Sequence, residues 1–227
     1  MNKTVELVNQ WGQFEQKHPA GSIEDFCRHY LAHQQRKRIQ GPLVGDVVPS
    51  LSDGLLLKII GRISKLNMAY ANIALEKTGL HQIEEFGILQ TIKKEKNPKK
   101  TEVIYANLFE LSSGTDMLNR MKKRGLIREY GDKEDKRSKR IELTAMGEKV
   151  AETCLVKIAK NATMLMKDLT DDDKDLCIQL LQNIEIKFSA LWQKHKNKEF
   201  AQIYKELMSD NKIKTGRSQR KQVLLVR

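Results

Sequence analysis

The chain has 227 residues and a formal net charge of +12, with a sequence pI near 9.5. Hydrophobic residues supply 40% of it and aromatic ones only 6%, so its core rests on Leu, Ile, Val and Met, and the fold is expected to be mainly α. The charge draws the chain toward polyanions through counterion release, but it suits DNA, RNA, an anionic membrane or simply a soluble basic surface.

Residues 1–50 read as an N-terminal helical extension whose role is open. Val5, Val8, Trp11 and Phe14 recur at helical spacing until His18, Pro19, Ala20 and Gly21 break the pattern. Ser22 and Asp25 stand three apart, the spacing at which each side chain satisfies the other's free backbone N–H. They open a helix expected to carry Ile23, Phe26, Cys27, Tyr30 and Leu31 on one face. The basic run Arg36, Lys37, Arg38 and the stretch 41–49 with Pro42 read as a linker.

A long helix is expected over 52–77, with Leu56, Ile59, Ile60, Ile63, Leu66, Ala69, Ile73 and Ala74 along it and Gly79 as its stop. So long an apolar stripe exceeds what a small domain covers, and part of it is expected to face a partner chain. Three shorter helices follow, over 81–95, 101–109 and 113–124. The first turns Ile83, Phe86, Leu89 and Ile92 inward. In the third, Ser113 and Asp116 stand at capping-box spacing and Gly125 lies at its end. Its inward face is Gly114, Met117, Leu118 and Met121, which leaves Ser112, Ser113, Thr115, Asp116, Asn119 and Arg120 outside.

The period then changes. Residues 126–130 and 140–143 alternate in the manner of strands around the charged, turn-prone segment 131–137. Thr144 caps a further helix over 145–167, and Thr170 with Asp171, Asp172 and Asp173 starts a last one running to about 208. The tail 211–227 is basic, with Lys212, Lys214, Arg217, Arg220 and Lys221.

Three short helices and a charged hairpin outline a winged helix-turn-helix over 81–147. A helix about 10–12 Å across fits a major groove about 12 Å wide, and a wing can set an arginine in the minor groove. Residues 55–190 resemble the MarR family of bacterial regulators. The likeness is carried by Asp132, Asp135, Lys136 and Arg137, then Ile141, Leu143, Thr144 and Gly147, with support from 80–89 and 121–127. It implies a homodimer whose dimerisation region is 51–80 with 148–210. It also implies a repressor of duplex DNA at a pseudo-palindromic operator, and a small aromatic effector. In that reading Arg137 is the wing arginine, held by Asp135.

The DNA-binding residues expected are Ser112, Ser113, Thr115, Asn119, Arg120 and Lys122 on the third helix, with Lys133, Asp135, Lys136, Arg137 and Lys139 on the wing. Lys93, Lys94, Lys96, Lys99 and Lys100 form either flanking phosphate contacts or a solvated loop. Ser112 and Ser113 serve either base edges or capping. Asp116 departs from the family, which often places a basic or neutral residue there, so the operator sequence does not carry over.

Met68, Tyr70, Phe86 and Trp192 are either pocket-lining or core residues. His81 with Glu84 and Glu85 reads as surface charge near a helix start rather than an acid–base or metal site. Cys154 and Cys177 read as packing residues, and Cys27 beside Arg28 is the weak candidate for a redox switch. No Cys-x-x-Cys pair, phosphate loop, nucleophile motif, signal peptide or spanning run is evident. The expectation is a cytoplasmic, nucleoid-associated regulator with no enzymatic activity, no cofactor and no membrane partner. The rival is a basic helical module binding RNA or protein.

Overall fold

The computed structural model describes residues 2–36 and 51–209, so the expected linker past Arg36, which itself ends a helix, and the tail 211–227 lie outside the described residues. The chain divides into two compact units, 1–58 and 59–227, taken here in turn.

The first unit is a helical hairpin. Asn2 opens α1 (Lys3–Lys17) by accepting the Thr4 N–H at 2.9 Å. The Ser22–Asp25 box is formed as expected, with Asp25 N donating to Ser22 Oγ at 3.1 Å and Ser22 N to Asp25 Oδ2 at 3.0 Å. It starts α2 (Ile23–Arg36). Phe14 and Phe26 form the buried seam, and Trp11 meets Phe26 edge-on at 5.2 Å. Ile23 and Leu31 do not join it and stay exposed, because two crossing helices bury only one narrow stripe. Gly21 permits the tight return, since a Cβ there would sit 2.7 Å from the Phe14 ring.

Helix α3 (Ser52–Leu75) buries only Ala71 and Leu75. It stops two residues before the expected end, and Lys77 (φ 62°) and Gly79 (φ 94°) then turn the chain through left-handed conformations. The next helix, α4 (Ile83–Glu95), starts later than the pattern indicated because its first N–H is capped from outside, donating to Asn72 Oδ1 of α3 at 2.8 Å. Helices α5 (Lys100–Ala106) and α6 (Leu111–Lys123) follow. Strands β1 (Ile127–Gly131) and β2 (Lys139–Leu143) pair antiparallel, with Ile127 opposite Leu143 and Gly131 opposite Lys139.

Helix α7 (Ala145–Leu165) leads to α8 (Asp171–His195), which Thr170 and Asp173 cap reciprocally. The expected unbroken run to 208 is interrupted. A turn, with Lys198 N donating to His195 O at 2.9 Å, separates α8 from a helical stretch over 200–209. Glu206 holds the fold-back by accepting from Lys194 at 2.6 Å and Lys198 at 2.5 Å. These two bonds hold the Glu206 carboxyl down at about 2.

The core of this unit gathers Leu75, Ile88, Leu89, Ile104, Leu118, Met121, Leu126 and Ile141 around α4, α5, α6 and the hairpin. Helix α7 closes it through Ala151 and Cys154. Thr144 fixes the closure. Its N–H donates to Leu126 O at 3.1 Å, its hydroxyl donates to Gly125 O at 2.6 Å, and the same oxygen accepts Gly147 N at 3.0 Å.

Gly147 lies so near the start of β1 that a Cβ would fall 2.0 Å from Leu126 O. A backbone carbonyl cannot rotate aside as a side chain can. Gly147→Ala should therefore cost about 3 kcal/mol, at the upper end of overpacking penalties, read as a lower urea midpoint at unchanged slope. Stability within about 0.5 kcal/mol of the parent would contradict this packing.

Candidate nucleic-acid interface

Helix α6 is amphipathic by construction. Gly114, Met117, Leu118 and Met121 recur at three- and four-residue spacing and are all buried. Gly114 is small because α5 crosses it closely, and a Cβ there would meet Ile104 Cγ2 at 2.6 Å. The opposite face presents Ser112, Ser113, Asp116, Asn119 and Arg120 to solvent, with Thr115 half-buried. The expected Ser113–Asp116 box is absent. The helix begins two residues earlier, with Glu110 at the N-cap, so Ser113 is already within the first turn. Ser112 and Ser113 are thereby released from capping.

The wing turn is organised by two aspartates. Asp132 is almost fully buried; its Oδ1 accepts the N–H groups of Glu134 and Asp135 at 2.8 and 3.0 Å, and its Oδ2 accepts Arg140 Nε at 2.5 Å. The backbone bonds from Asp135 and Glu134, reinforced by Arg140, hold this carboxyl below its ordinary value. Arg140 also donates to Asn97 O at 2.8 Å, and Ile141 N donates to Pro98 O at 3.0 Å. The wing is therefore tied to the loop between α4 and α5.

Asp135 accepts from Ser138 Oγ at 2.6 Å and from Arg137 N at 3.0 Å, and these bonds lower its carboxyl too, Ser138 contributing most. The expected hold of Asp135 on Arg137 is thus made through the backbone and not as an ion pair. Asp135 holds the Arg137 backbone, and among the described residues no carboxylate pairs with its guanidinium. An exposed ion pair would have tethered the guanidinium weakly; the turn instead projects it. Lys133, Lys136, Arg137 and Lys139 are all exposed around the tip.

The basic residues nearer the helices sort differently from the expectation. Lys100 is only 19% exposed and meets Glu129 at 2.8 Å, so it is a strut between α5 and β1 rather than a phosphate contact. Lys122 of α6 reaches the same carboxylate at 2.8 Å and stays half-exposed. Burial pushes the Glu129 carboxyl up, and the bonds from these two lysines outweigh it, leaving it below its ordinary value. Lys93 pairs with Glu152 at 3.3 Å and Lys94 with Glu95 at 3.6 Å, both on the surface. Lys96 is exposed, and Lys99 is half-buried at the start of α5.

One strut was not visible as such. Glu85, read as a surface charge, is 1% exposed. It accepts His81 N at 2.9 Å on one oxygen and a short bond from Arg124 on the other, and Arg124 also donates to Gly79 O at 2.8 Å. The end of α6 is thereby fastened to the turn between α3 and α4.

Of the residues considered for an effector pocket, Phe86 lies in the core, while Met68 and Trp192 are exposed. Tyr70 lines a depression of about 360 Å³ between α3 and α7 with Ile73, Ala74, Lys157, Lys160, Asn161 and Met164. The buried Asn161 donates to Asn67 Oδ1 at 2.9 Å, and its own Oδ1 has no hydrogen-bond partner. Cys154 is a core residue whose thiol is pushed up by burial. Cys177, expected to pack, is exposed on α8, as is Cys27 on α2. Among the described residues no helix is long and apolar enough to cross a membrane.

Comparison with known proteins places this geometry. The family described as a winged helix DNA-binding domain matches residues 84–147, which run from the start of α4 to the first turn of α7. Among solved structures, a MarR-like transcription regulator from Bacillus cereus is 22% identical, with a TM-score of 0.51 over 63% of this chain and 96% of its own. A cysteine-to-serine variant of MarR from E. coli, complexed with operator DNA, is 21% identical, with a TM-score of 0.56 over 62% and 99%. The PcaV transcriptional regulator from Streptomyces coelicolor, in complex with its natural ligand, is 16% identical, with a TM-score of 0.53 over 63% and 97%. At these identities the likeness is one of fold. Among curated proteins no match is found.

The buried strut gives a prediction. Arg124→Met leaves Glu85 without its cation and should cost about 3 kcal/mol or more, measured by urea unfolding. Adding Glu85→Gln, which keeps an acceptor for His81 N, should restore much of the loss. Equal and additive effects of the two changes would show that the pair is not coupled.

Proposed function

From a winged helix DNA-binding domain set in the fold of the MarR-like regulators, we propose that this chain is a sequence-specific regulator of transcription that binds duplex DNA as a homodimer and acts as a repressor by occupying its operator. The observation that carries the reading is one domain presenting two complementary features. The exposed face of α6 offers Ser112, Ser113, Thr115 and Asn119, short polar side chains suited to base edges, flanked by Arg120 and Lys122. The wing tip offers an unpaired Arg137 among Lys133, Lys136 and Lys139, suited to the narrow minor groove and its phosphates.

The dimer is supported by what the protomer leaves uncovered. Helix α8 has 25 residues and buries only His195, while Ile178, Leu180, Ile184, Ile186 and Phe188 are exposed. Leu56, Leu57, Ile63, Leu66 and Ile73 are exposed along α3, and Leu155 and Val156 on α7. Single exposed apolar residues are ordinary, but contiguous apolar faces of this extent mark interfaces. The two-fold axis of such a dimer would present two reading helices to half-sites about one helical turn, roughly 34 Å, apart in a pseudo-palindrome.

The depression beside Tyr70 is the place for an effector. Its apolar walls suit a small aromatic molecule, Asn161 Oδ1 offers an unused acceptor for a hydroxyl, and Lys157 and Lys160 stand at the rim. A ligand there would lie between two helices, α3 and α7, that also adjoin the core of the reading domain, so it could bias the spacing of the two reading helices.

Selection of bound duplexes from a random pool should return a pseudo-palindrome. Against that site, Arg137→Ala should weaken binding and reduce the salt slope by about one counterion's worth, whereas Asn119→Ala should alter base preference. Unchanged affinity and slope would remove Arg137 from the interface, and equal losses on specific and random duplex would remove Asn119 from reading. Ile184→Glu should convert a particle of twice 26.2 kDa into a protomer, measured by light scattering, and abolish operator binding. A parent protein that scatters as a protomer would end the dimeric reading.

A further inference from the structure

The helical hairpin of residues 2–36 carries a cavity that the reading above leaves unused. It measures about 240 Å³ and is lined by Gln10, Gln13 and Lys17 of α1 and by His29, Tyr30 and His33 of α2, over a floor of Phe14 and Phe26. Every polar group there is able to donate a hydrogen bond, and no carboxylate lines it. The acid nearest in sequence to His29, Asp25, is spent on Ser22 and Arg28, which hold its carboxyl down at about 2.

The cationic side is crowded. The rings of His29 and His33 stack at 4.0 Å between centroids, and His18 lies 5.9 Å from His29. His33 Nδ1 donates to His29 O at 2.8 Å, so its Nε2 accepts in the neutral ring and becomes a donor to an anion when the ring is protonated. Burial, together with His33, His18 and Lys17, disfavours the protonated form of His29 and lowers its titration. No negative group offsets these neighbours, whether on α1 or on α2.

We infer that this cavity is a binding site for a small oxyanion, a phosphate- or carboxylate-bearing molecule, held by Lys17, His29 and His33 with Gln10, Gln13 and Tyr30 as neutral donors. The ligand is small because the volume lies below that of sites for drug-sized molecules. It is anionic because the walls supply donors and positive charge with no carboxylate among them, and charge-assisted bonds to an oxyanion are the strong ones. The anion would favour the protonated form of His29, so its titration rises on binding. Affinity is then greatest at low pH and falls as pH rises through the His29 titration of the complex, by up to about tenfold per pH unit for one linked proton. The inference does not rest on the proposed function.

The test follows imidazole resonances of the full chain by NMR at pH 6.5 while inorganic phosphate or, in a separate arm, citrate is added at constant ionic strength. The expected result is a saturable shift of His29 and His33 in at least one arm, with His29 titrating at higher pH when saturated. Lys17→Met, on an exposed position, should weaken that binding roughly tenfold or more with unchanged helix content by circular dichroism. His29→Gln should remove the His29 part of the pH dependence, leaving only what His33 and the anion's own ionisation contribute. Shifts that grow linearly without saturation in both arms, or saturation that Lys17→Met leaves unaltered, would overturn the site. So would saturation by a short random duplex with neither small anion effective, which would assign the cavity to the nucleic-acid backbone.

Discussion

At Thr144 the chain leaves β2 and enters α7, and three groups converge there on one side chain and its amide. The hydroxyl donates to Gly125 O just past the end of α6, the amide donates to Leu126 O beside the start of β1, and the same hydroxyl oxygen receives Gly147 N in the first turn of α7. Gly147 can approach Leu126 only because it has no Cβ. The reading helix, the wing and the long helix that follows are thereby fixed to one another within a few ångströms. On the proposed reading the helix and the wing share one duplex, and a relative pose settled before binding spares the cost of ordering them on contact.

The second constraint is electrostatic and acts by subtraction. Lys100 and Lys122 meet Glu129, Arg124 meets Glu85, Arg128 meets Glu142 and Arg140 meets Asp132. The buried members of this set hold the architecture, with little positive charge left over for a partner. What remains uncommitted near α6 and the wing is Arg120, Lys123, Lys133, Lys136, Arg137 and Lys139, all exposed. A net charge of +12 says only that polyanions are attracted. On the proposed reading, the division between struts and free cations marks where one would be gripped.

That division also marks what could be read from the sequence. Local features were legible: the inward face of α6 from its spacing, the Ser22–Asp25 box from its offset, and the two strands from their change of period. Each depends on residues within a few positions of one another. Glu85 looked like a surface charge because Arg124 stands 39 residues away, and only folding brings them together. Lys100 read as either a phosphate contact or a solvated loop residue for the same reason, its partner Glu129 being 29 residues on. Asp135 was correctly placed beside Arg137, but adjacency cannot tell a backbone bond from a side-chain pair. The break after His195 has no glycine or proline to announce it. It is made by Glu206 drawing two lysines back, again a tertiary effect.

The long helices take the same argument beyond the protomer. Hydrophobic spacing along α3 indicated a stripe too long for a small domain to cover, and the protomer leaves most of it, and much of α8, in solvent. A periodic apolar face persists against the cost of exposure when something covers it, and on the proposed reading a second copy does. Because α3 also caps α4 through Asn72, and the turn after α3 is fastened to the end of α6 by the Gly79–Arg124–Glu85 strut, the surface proposed to join two copies is linked through the fold to the face proposed to read bases. Assembly and recognition are then properties of one rigid path. A change in how the two α3 helices meet would alter the distance between reading helices, which is the quantity a two-half-site operator measures.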